Sequence, residues 1–207
     1  MLILWITQKI DNRTVTYQHH LDNQTVTYLR QLNINLQTIK IKSMKQLELI
    51  NDDFTGRIEK LRHACRGILI RDGNVLLGYE TIGKKYIIPG GGVEEGETLE
   101  QCCEREMLEE TGLRVRATQN YLEIEEKFDV WNHINHYFVC EFIEDTGVFH
   151  LTEQEEKAGC ICVWKPLDEA LEIFGKYESL RKINIADYGL YRREYTALKE
   201  YKAFAGK

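Results

Sequence analysis

Apolar residues downstream of position 61 fall into short runs that are separated by turn-forming residues. Runs of roughly four to eight such residues, bounded by glycine, proline or asparagine, predict β-strands. The predicted strands are Ala64–Arg71, Val75–Tyr79, Lys85–Ile88, one or two within Val115–Phe128, Asn135–Ile143 and Cys160–Trp164. The tight turn Asp72-Gly73-Asn74 joins the first two strands into a predicted hairpin.

Helical patterns stand between and after these strands. Thr98 is followed three residues later by Gln101, which is the spacing of a capping box, and Gly112 ends the pattern after about Thr111. Two more helices are predicted downstream, over Leu167–Phe174 and Asp187–Phe204. Strands therefore lie on both sides of one long helix, and this order predicts an α+β sandwich.

Residues 1–43 differ from the rest of the chain. Asp11–Tyr17 recurs as Asp22–Tyr28 with one substitution in seven residues, and the shared Thr-Val-Thr-Tyr favours strand, so a hairpin is one expectation. These 43 residues carry five basic and two acidic side chains, which leaves a net charge of -9 on the remainder of a chain of net charge -6. We expect an N-terminal extension over residues 1–43 and a main domain with C-terminal helices over residues 44–207, with Met44 as an alternative start.

Composition narrows the class of protein. The net charge of -6 argues against general nucleic-acid binding. No run of about 20 apolar residues could span a membrane, so we expect a cytoplasmic protein. The six cysteines stand at irregular spacings that match no zinc site, and the simplest account is reduced, partly buried side chains.

The segment with a chemical pattern is the predicted helix after Thr98. Glu106, Glu109 and Glu110 stand at i, i+3 and i+4, so their carboxylates share one helix face. Like charges placed together cost stability, and bound cations remove that cost. Carboxylates are the hard oxygen ligands that Mg²⁺ prefers, with Mn²⁺ as an alternative ion.

This segment resembles the Nudix family, whose motif is G-x5-E-x7-R-E-U-x-E-E-x-G-U, where U is a bulky aliphatic residue. Every position of the motif is filled, Met107 being a permissive match to U. The matching residues are Gly91, Glu97, Arg105, Glu106, Met107, Glu109, Glu110, Gly112 and Leu113. Together with its flanking strands, the resemblance extends over about residues 61–175.

The resemblance implies a fold, a reaction and residue roles. The fold would be an α/β/α sandwich around a mixed sheet, and the reaction would be attack of water on a diphosphate bridge of a nucleoside diphosphate derivative. The metal ligands would be Glu106, Glu109, Glu110 and the carbonyl of Gly90, with Glu97 in support. Arg105 would hold the glutamates in register.

A general base is expected among the glutamates of a predicted acidic loop, residues 151–157. Family members differ in where the base lies, and some use a glutamate just before the strand with the late tryptophan. Glu153 is the first candidate and Glu156 the second, with Glu106 next if that loop is not involved. An ordinary acidic surface loop is the alternative interpretation.

Substrate contacts are less defined. Phe128 and Trp131 precede a strand and could stack on a nucleobase, although aromatic residues more often anchor a core edge. Lys84-Lys85 could meet phosphate, but an exposed turn is the simpler account. Nucleoside triphosphates, dinucleoside polyphosphates and nucleotide sugars remain open, and a homodimer is left open. The family's ADP-ribose and NADH subgroups are marked by prolines downstream of the motif, and the chain's only prolines, Pro89 and Pro166, do not match them.

Two other functions compete with hydrolysis. One is a non-catalytic Nudix module that binds a nucleotide and regulates, although such modules usually lack part of the glutamate set. The other is an interaction protein whose acidic helix simply faces solvent.

Overall fold

The computed structural model describes residues 2–10, 13–21 and 44–206. The chain divides into two compact units, residues 1–45 and 46–207. In the first unit, β1 (Leu2–Ile10) pairs with β2 (Arg13–Leu21) as an antiparallel hairpin. Residues 13–17 of the first repeated segment lie in β2, whereas the second copy, residues 22–28, lies outside the described residues.

The other described strands form one mixed sheet. They are β3 (Lys45–Ile50), β4 (Lys60–Arg71), β5 (Asn74–Glu80), β6 (Lys85–Ile87), β7 (Leu113–Phe128), β8 (Trp131–Asp145) and β9 (Cys160–Pro166). Their order is β3-β7-β8-β4-β5-β6, and β9 pairs with β5. β4 and β8 run parallel, whereas β5 is antiparallel to β4, β6 and β9. The region Val115–Phe128 is one strand, β7, which is antiparallel to β8 with three register shifts.

The described helices are α1 (Leu99–Thr111), α2 (Glu153–Ala158), α3 (Leu167–Phe174), α4 (Tyr177–Leu180) and α5 (Ile185–Ala205). The predicted capping box of α1 is confirmed, because the Thr98 side chain accepts a hydrogen bond from the Gln101 backbone amide and the Gln101 side chain accepts one from Thr98. Gly112 ends the helix in the left-handed conformation at φ 69°. None of the described helices is long and apolar enough to cross a bilayer.

The predicted loop over residues 151–157 is wrong, because Glu153–Ala158 form helix α2. Thr152 and Glu155 make a second capping box, and Gly159 ends the helix in the left-handed conformation. These three residues were a local helix signal in the sequence. The stretch is short and rich in glutamate, so its hydrophobic pattern resembles that of a loop.

Helices cover both faces of the sheet, and each face has its own core. Cys102, Cys103 and Met107 of α1 pack on one face, where a side chain at Gly67 of β4 would overlap Met107. On the other face, Phe174 of α3 and Leu198 of α5 pack in a second core. The α/β/α sandwich with a mixed sheet is thus confirmed.

The sheet opens between β4 and β5, and this opening positions the functional segment. The two strands pair only at Ile70↔Val75 and Arg71↔Asn74. Further along β4, the amides of Cys65 and Gly67 donate to the carbonyls of Gly91 and Pro89 at 2.9 and 3.0 Å. The loop of residues 89–93 therefore takes the place that a neighbouring strand would occupy.

We propose that residues 44–207 fold without the first 43 residues. A chain that begins at Met44 keeps β3 whole, because that strand begins at Lys45. We expect cooperative unfolding with a Tm within about 5 °C of the full chain, together with retained turnover. Thermal unfolding and a hydrolysis assay measure both. Aggregation of the truncated chain, or a folded chain without activity, would contradict the proposal and give residues 1–43 a part in the fold, the site or a dimer.

Candidate active site

The glycine loop, residues 89–93, lies directly against the carboxylates of α1. Gly90 has φ 141°, and a Cβ at this position would overlap the Cys65 carbonyl of β4. A Cβ on Gly91 would overlap the Glu106 carboxylate. The sequence needs glycine at both positions because the loop fits between β4 and the charged face of α1.

Arg105 organises three of the motif glutamates. Its Nε and Nη2 atoms donate to the two oxygens of Glu97 at 3.1 and 2.8 Å, and Nη1 donates to Glu106 at 2.8 Å and Glu109 at 3.1 Å. Nη2 also donates to the Gly92 carbonyl at 3.1 Å, which ties α1 to the glycine loop. These bonds lower the pKa of Glu97 to about 2, first through the side-chain bond with Arg105. Arg105 therefore occupies the register-holding position that the family resemblance implies.

Glu110 is held by the backbone of the same loop. Its Oε2 accepts a hydrogen bond from the Gly90 amide at 2.9 Å. Burial nevertheless raises the pKa of Glu110 to about 8, and the nearby Glu106 carboxylate also raises it. Burial raises the pKa of Glu106 as well, in spite of its bond to Arg105. The protein thus leaves negative charge at this face incompletely compensated.

A divalent cation fits the chemistry of this donor set. Glu106, Glu109 and Glu110 offer hard carboxylate oxygens on one helix face, and two of these carboxylates are costly to ionise as the protein stands. Within residues 44–206, no three His, Cys, Asp or Glu side chains already converge as a ready-made cage. Mg²⁺ does not need such a cage, since it usually keeps several waters and binds through one or two carboxylates.

The Gly90 carbonyl lies near an arginine that the sequence analysis did not single out. Arg66 of β4 is buried, and its Nη1 donates to the Ile88 carbonyl at 2.9 Å and to the Gly90 carbonyl at 3.4 Å. A carbonyl oxygen has two lone pairs, so the Gly90 carbonyl can accept this bond and still face a cation. Nothing local marks Arg66, because its partners come from a loop 22 residues later.

A small pocket of about 90 Å³ adjoins Glu110, and its lining distinguishes the acidic residues of α2 that lie near the site from those that do not. Glu155 lines this glutamate pocket, together with Glu80 and Glu110. Glu153 and Glu156 are exposed, and Glu153 pairs with Lys157 at 2.6 Å. The structure therefore brings Glu155 to the site and leaves the two preferred candidates outside the pocket lining.

A larger cavity, of about 320 Å³, lies between the sheet and the N-terminal half of α5. We call it the α5 cavity. Phe128 lines it, but Trp131 does not; the Trp131 ring instead carries the Lys60 ammonium 4.6 Å from its centroid. Lys85 lines the cavity and Lys84 is exposed, so the account of both lysines as an exposed turn is wrong for Lys85.

Comparison with known proteins agrees with this geometry. The model of the NUDIX domain matches residues 61–185, which is more than half of the chain. The chain belongs to the Nudix family. It is an enzyme of the pyrophosphohydrolase type, with the complete motif on α1 and the glycine loop.

Individual relatives are more distant. An RNA pyrophosphohydrolase of Sphingopyxis alaskensis is 29% identical, and the match covers 45% of this chain and 73% of that protein. A second, from Wolbachia pipientis subsp. Culex pipiens, is 44% identical over 26% of this chain and 35% of its own length. Among solved structures, a NUDIX hydrolase from Nitrosomonas europaea is 19% identical with a TM-score of 0.49, covering 66% of this chain and 88% of that one. The E. coli ORF135 protein is 21% identical with a TM-score of 0.47, covering 68% and 91%.

Replacing Gly91 with alanine should displace the Glu106 carboxylate, because the added Cβ overlaps it. Gly91 does not have a positive φ, so alanine strains no backbone angle at this position. We expect kcat to fall about 10- to 100-fold, with the Tm little changed. Steady-state kinetics and thermal unfolding test this.

The double variant Gly91→Ala/Glu106→Asp provides the control. The shorter aspartate makes room for the Cβ, so the double variant should lose less activity than the product of the two single losses. Strictly multiplicative losses would show that the two positions act independently.

Proposed function

We propose that this enzyme hydrolyses a phosphoanhydride bond of a nucleoside diphosphate derivative with the help of Mg²⁺. The observation that supports this most directly is the carboxylate face of Glu106, Glu109 and Glu110 against the glycines of the loop, with Glu110 half-buried and its charge incompletely compensated. A diphosphate is itself anionic, so it binds at such a face only together with cations. This need favours a metal-dependent hydrolase over an acidic helix that merely faces solvent.

The chain's own residues would divide the work as follows. Arg105 holds Glu106 and Glu109 in a fixed register, and the Gly90 amide holds Glu110. A bound divalent ion would neutralise the diphosphate and polarise its phosphorus. The loop glycines keep side chains away from the space in front of these carboxylates.

We assign the general base to Glu155. It is half-buried, it lines the glutamate pocket beside Glu110, and its charge contributes to the raised pKa values of both Glu106 and Glu110. Its Oε2 accepts a hydrogen bond from the Thr152 amide at 2.7 Å, which orients the carboxylate. A carboxylate held in this way can accept the proton of an attacking water.

The substrate is best found by a screen with Mg²⁺ and product identification. The panel contains nucleoside triphosphates, dinucleoside polyphosphates and nucleotide sugars. It also contains RNA with a 5′-triphosphate, because two relatives are named RNA pyrophosphohydrolases. Magnesium-dependent release of a phosphate product supports the proposal. Nucleotide binding without turnover of any member would instead favour a regulatory nucleotide-binding module.

Glu109→Gln and Glu110→Gln each test the proposed metal face. Both changes keep side-chain size and remove one negative charge, so we expect kcat to fall about 100-fold or more. The Tm should not fall, since each change relieves repulsion between neighbouring carboxylates. Near-full activity of either variant at saturating Mg²⁺ would remove that residue from the site.

Glu155→Gln tests the general base against a matched control on the same short helix, Glu153→Gln. We expect the first variant to lose about 100-fold in kcat and the acidic limb of its pH profile. The control should stay within a few-fold of the parent, because Glu153 is exposed and bonded to Lys157. If Glu155→Gln keeps both kcat and the acidic limb, the base lies elsewhere, and Glu106 is then the next residue to replace.

A further inference from the structure

The α5 cavity and the glutamate pocket share a wall. Glu80 of β5 and Ile87 of β6 line both spaces. The volume of about 320 Å³ falls in the range of roughly 300–1,000 Å³ that is usual for small-molecule sites. A ligand with one end at the glutamate pocket could therefore extend past this wall into the α5 cavity.

Four cationic side chains line the α5 cavity, and two of them are already used by the fold. Arg193 of α5 is buried and donates to Glu126 at 2.9 Å and to Glu194 at 2.7 Å. Arg66 is committed to the carbonyl of Ile88 and to Glu194, whose carboxylate lies 3.7 Å from its Nε. These two arginines hold α5 and the loop onto the sheet.

The other two cations remain available to a ligand. Lys85 stands at the shared wall, where its Nζ lies 3.3 Å from Glu80 and the side chain is partly exposed. Arg62 of β4 is exposed and makes no hydrogen bond or ion pair with the residues described in the structure. Its guanidinium stands beside the glycine loop, since a Cβ on Gly92 would come within 3.0 Å of Nη2.

Part of the remaining wall suits a flat organic group, although Asn51, Asp53 and Glu126 also line the cavity. Phe128 packs edge-to-face with His133, at 4.7 Å between ring centroids, and both rings line the cavity with Ile87 and Leu190. An inorganic polyphosphate would have no use for these apolar surfaces. A nucleobase can pack on them while its phosphates lie toward the cations.

We infer that the α5 cavity binds the nucleoside 5′-phosphate half of the substrate, with Arg62 and Lys85 contacting the phosphates that lead to the glutamate pocket. This inference rests on the proposed function, because it takes the scissile bond to lie at α1. On binding, the phosphate competes with Glu80 for Lys85, and Arg62 gains the anionic partner that the described protein residues do not supply.

The test compares Arg62→Gln and Lys85→Gln with Lys84→Gln. Lys84 is the adjacent lysine, is exposed and does not line the cavity, so it controls for a general loss of positive charge. Binding of AMP, GMP, CMP and UMP is measured by titration calorimetry in EDTA, which needs no metal and no turnover. The corresponding nucleosides, which lack phosphate, are titrated in parallel.

We expect at least one monophosphate to bind the parent chain, and about 10-fold weaker binding to Arg62→Gln and Lys85→Gln. Lys84→Gln should bind the monophosphate with an affinity within about 2-fold of the parent's, because the loss of one exposed charge usually has a small effect. Nucleoside binding should be the same in all four proteins. With an identified substrate, KM should rise about 10-fold in the two cavity variants while kcat stays nearly constant.

Two results would overturn the inference. One is unchanged monophosphate binding in both cavity variants at the parent's Tm. The other is an active enzyme to which none of the four monophosphates binds. If either variant has a lower Tm than the parent, the charge-preserving variants Arg62→Lys and Lys85→Arg are measured as well. A conservative variant that restores the Tm but not monophosphate binding also counts against the inference. Monophosphate binding without hydrolysis of any diphosphate would refute the proposed function and leave this site standing.

Discussion

The site depends on a steric constraint, the insertion of the loop 89–93 between β4 and the charged face of α1. Side chains at Gly90 or Gly91 would overlap the Cys65 carbonyl or the Glu106 carboxylate, so backbone alone fills this space. Because the loop lies so close, its amide reaches Glu110 and its carbonyl reaches Arg105. The opening of the sheet between β4 and β5 makes the insertion possible, and the carboxylates of α1 therefore face rigid backbone.

Electrostatics at this face is arranged for a ligand that is itself charged. Arg105 provides one positive charge for Glu97, Glu106 and Glu109, and burial raises the pKa of both Glu106 and Glu110. Such an arrangement costs folding free energy in the free protein. Divalent cations bound together with a diphosphate would offset this unfavourable free energy, because they neutralise the carboxylates when substrate binds. Strain of this kind is usual at functional sites and unusual on a solvated helix.

The C-terminal helix α5 lies outside the motif but contacts the site through a network of buried ion pairs. Arg193 and Glu194 of α5 are buried and form an ion-paired network that includes Glu126 of β7 and Arg66 of β4. Arg66 in turn contacts the Gly90 carbonyl. Removing one partner would leave a buried charge unpaired, which is strongly destabilising. The same helix closes the α5 cavity, so it both supports the glycine loop and shapes the space beside it.

The sequence by itself determined the parts of the site that depend on local spacing. The capping box at Thr98, the stop at Gly112 and the common face of the three glutamates follow from helix geometry. The α+β class follows from the order of strands and helices, and the family follows from the complete motif between Gly91 and Leu113. Only the tertiary structure decided which neighbours in sequence face the site. Glu155 lines the pocket while Glu153 does not, because the register of a helix that was expected to be a loop directs them differently. Lys85 lines the cavity whereas Lys84 is exposed, because Lys85 begins β6 and Lys84 lies in the preceding turn with φ 53°. The middle residues of β4 do not pair with β5 and instead run beside the glycine loop, which lies more than 20 residues later in the chain. Arg62 and Arg66 of β4 reach the loop only for this reason.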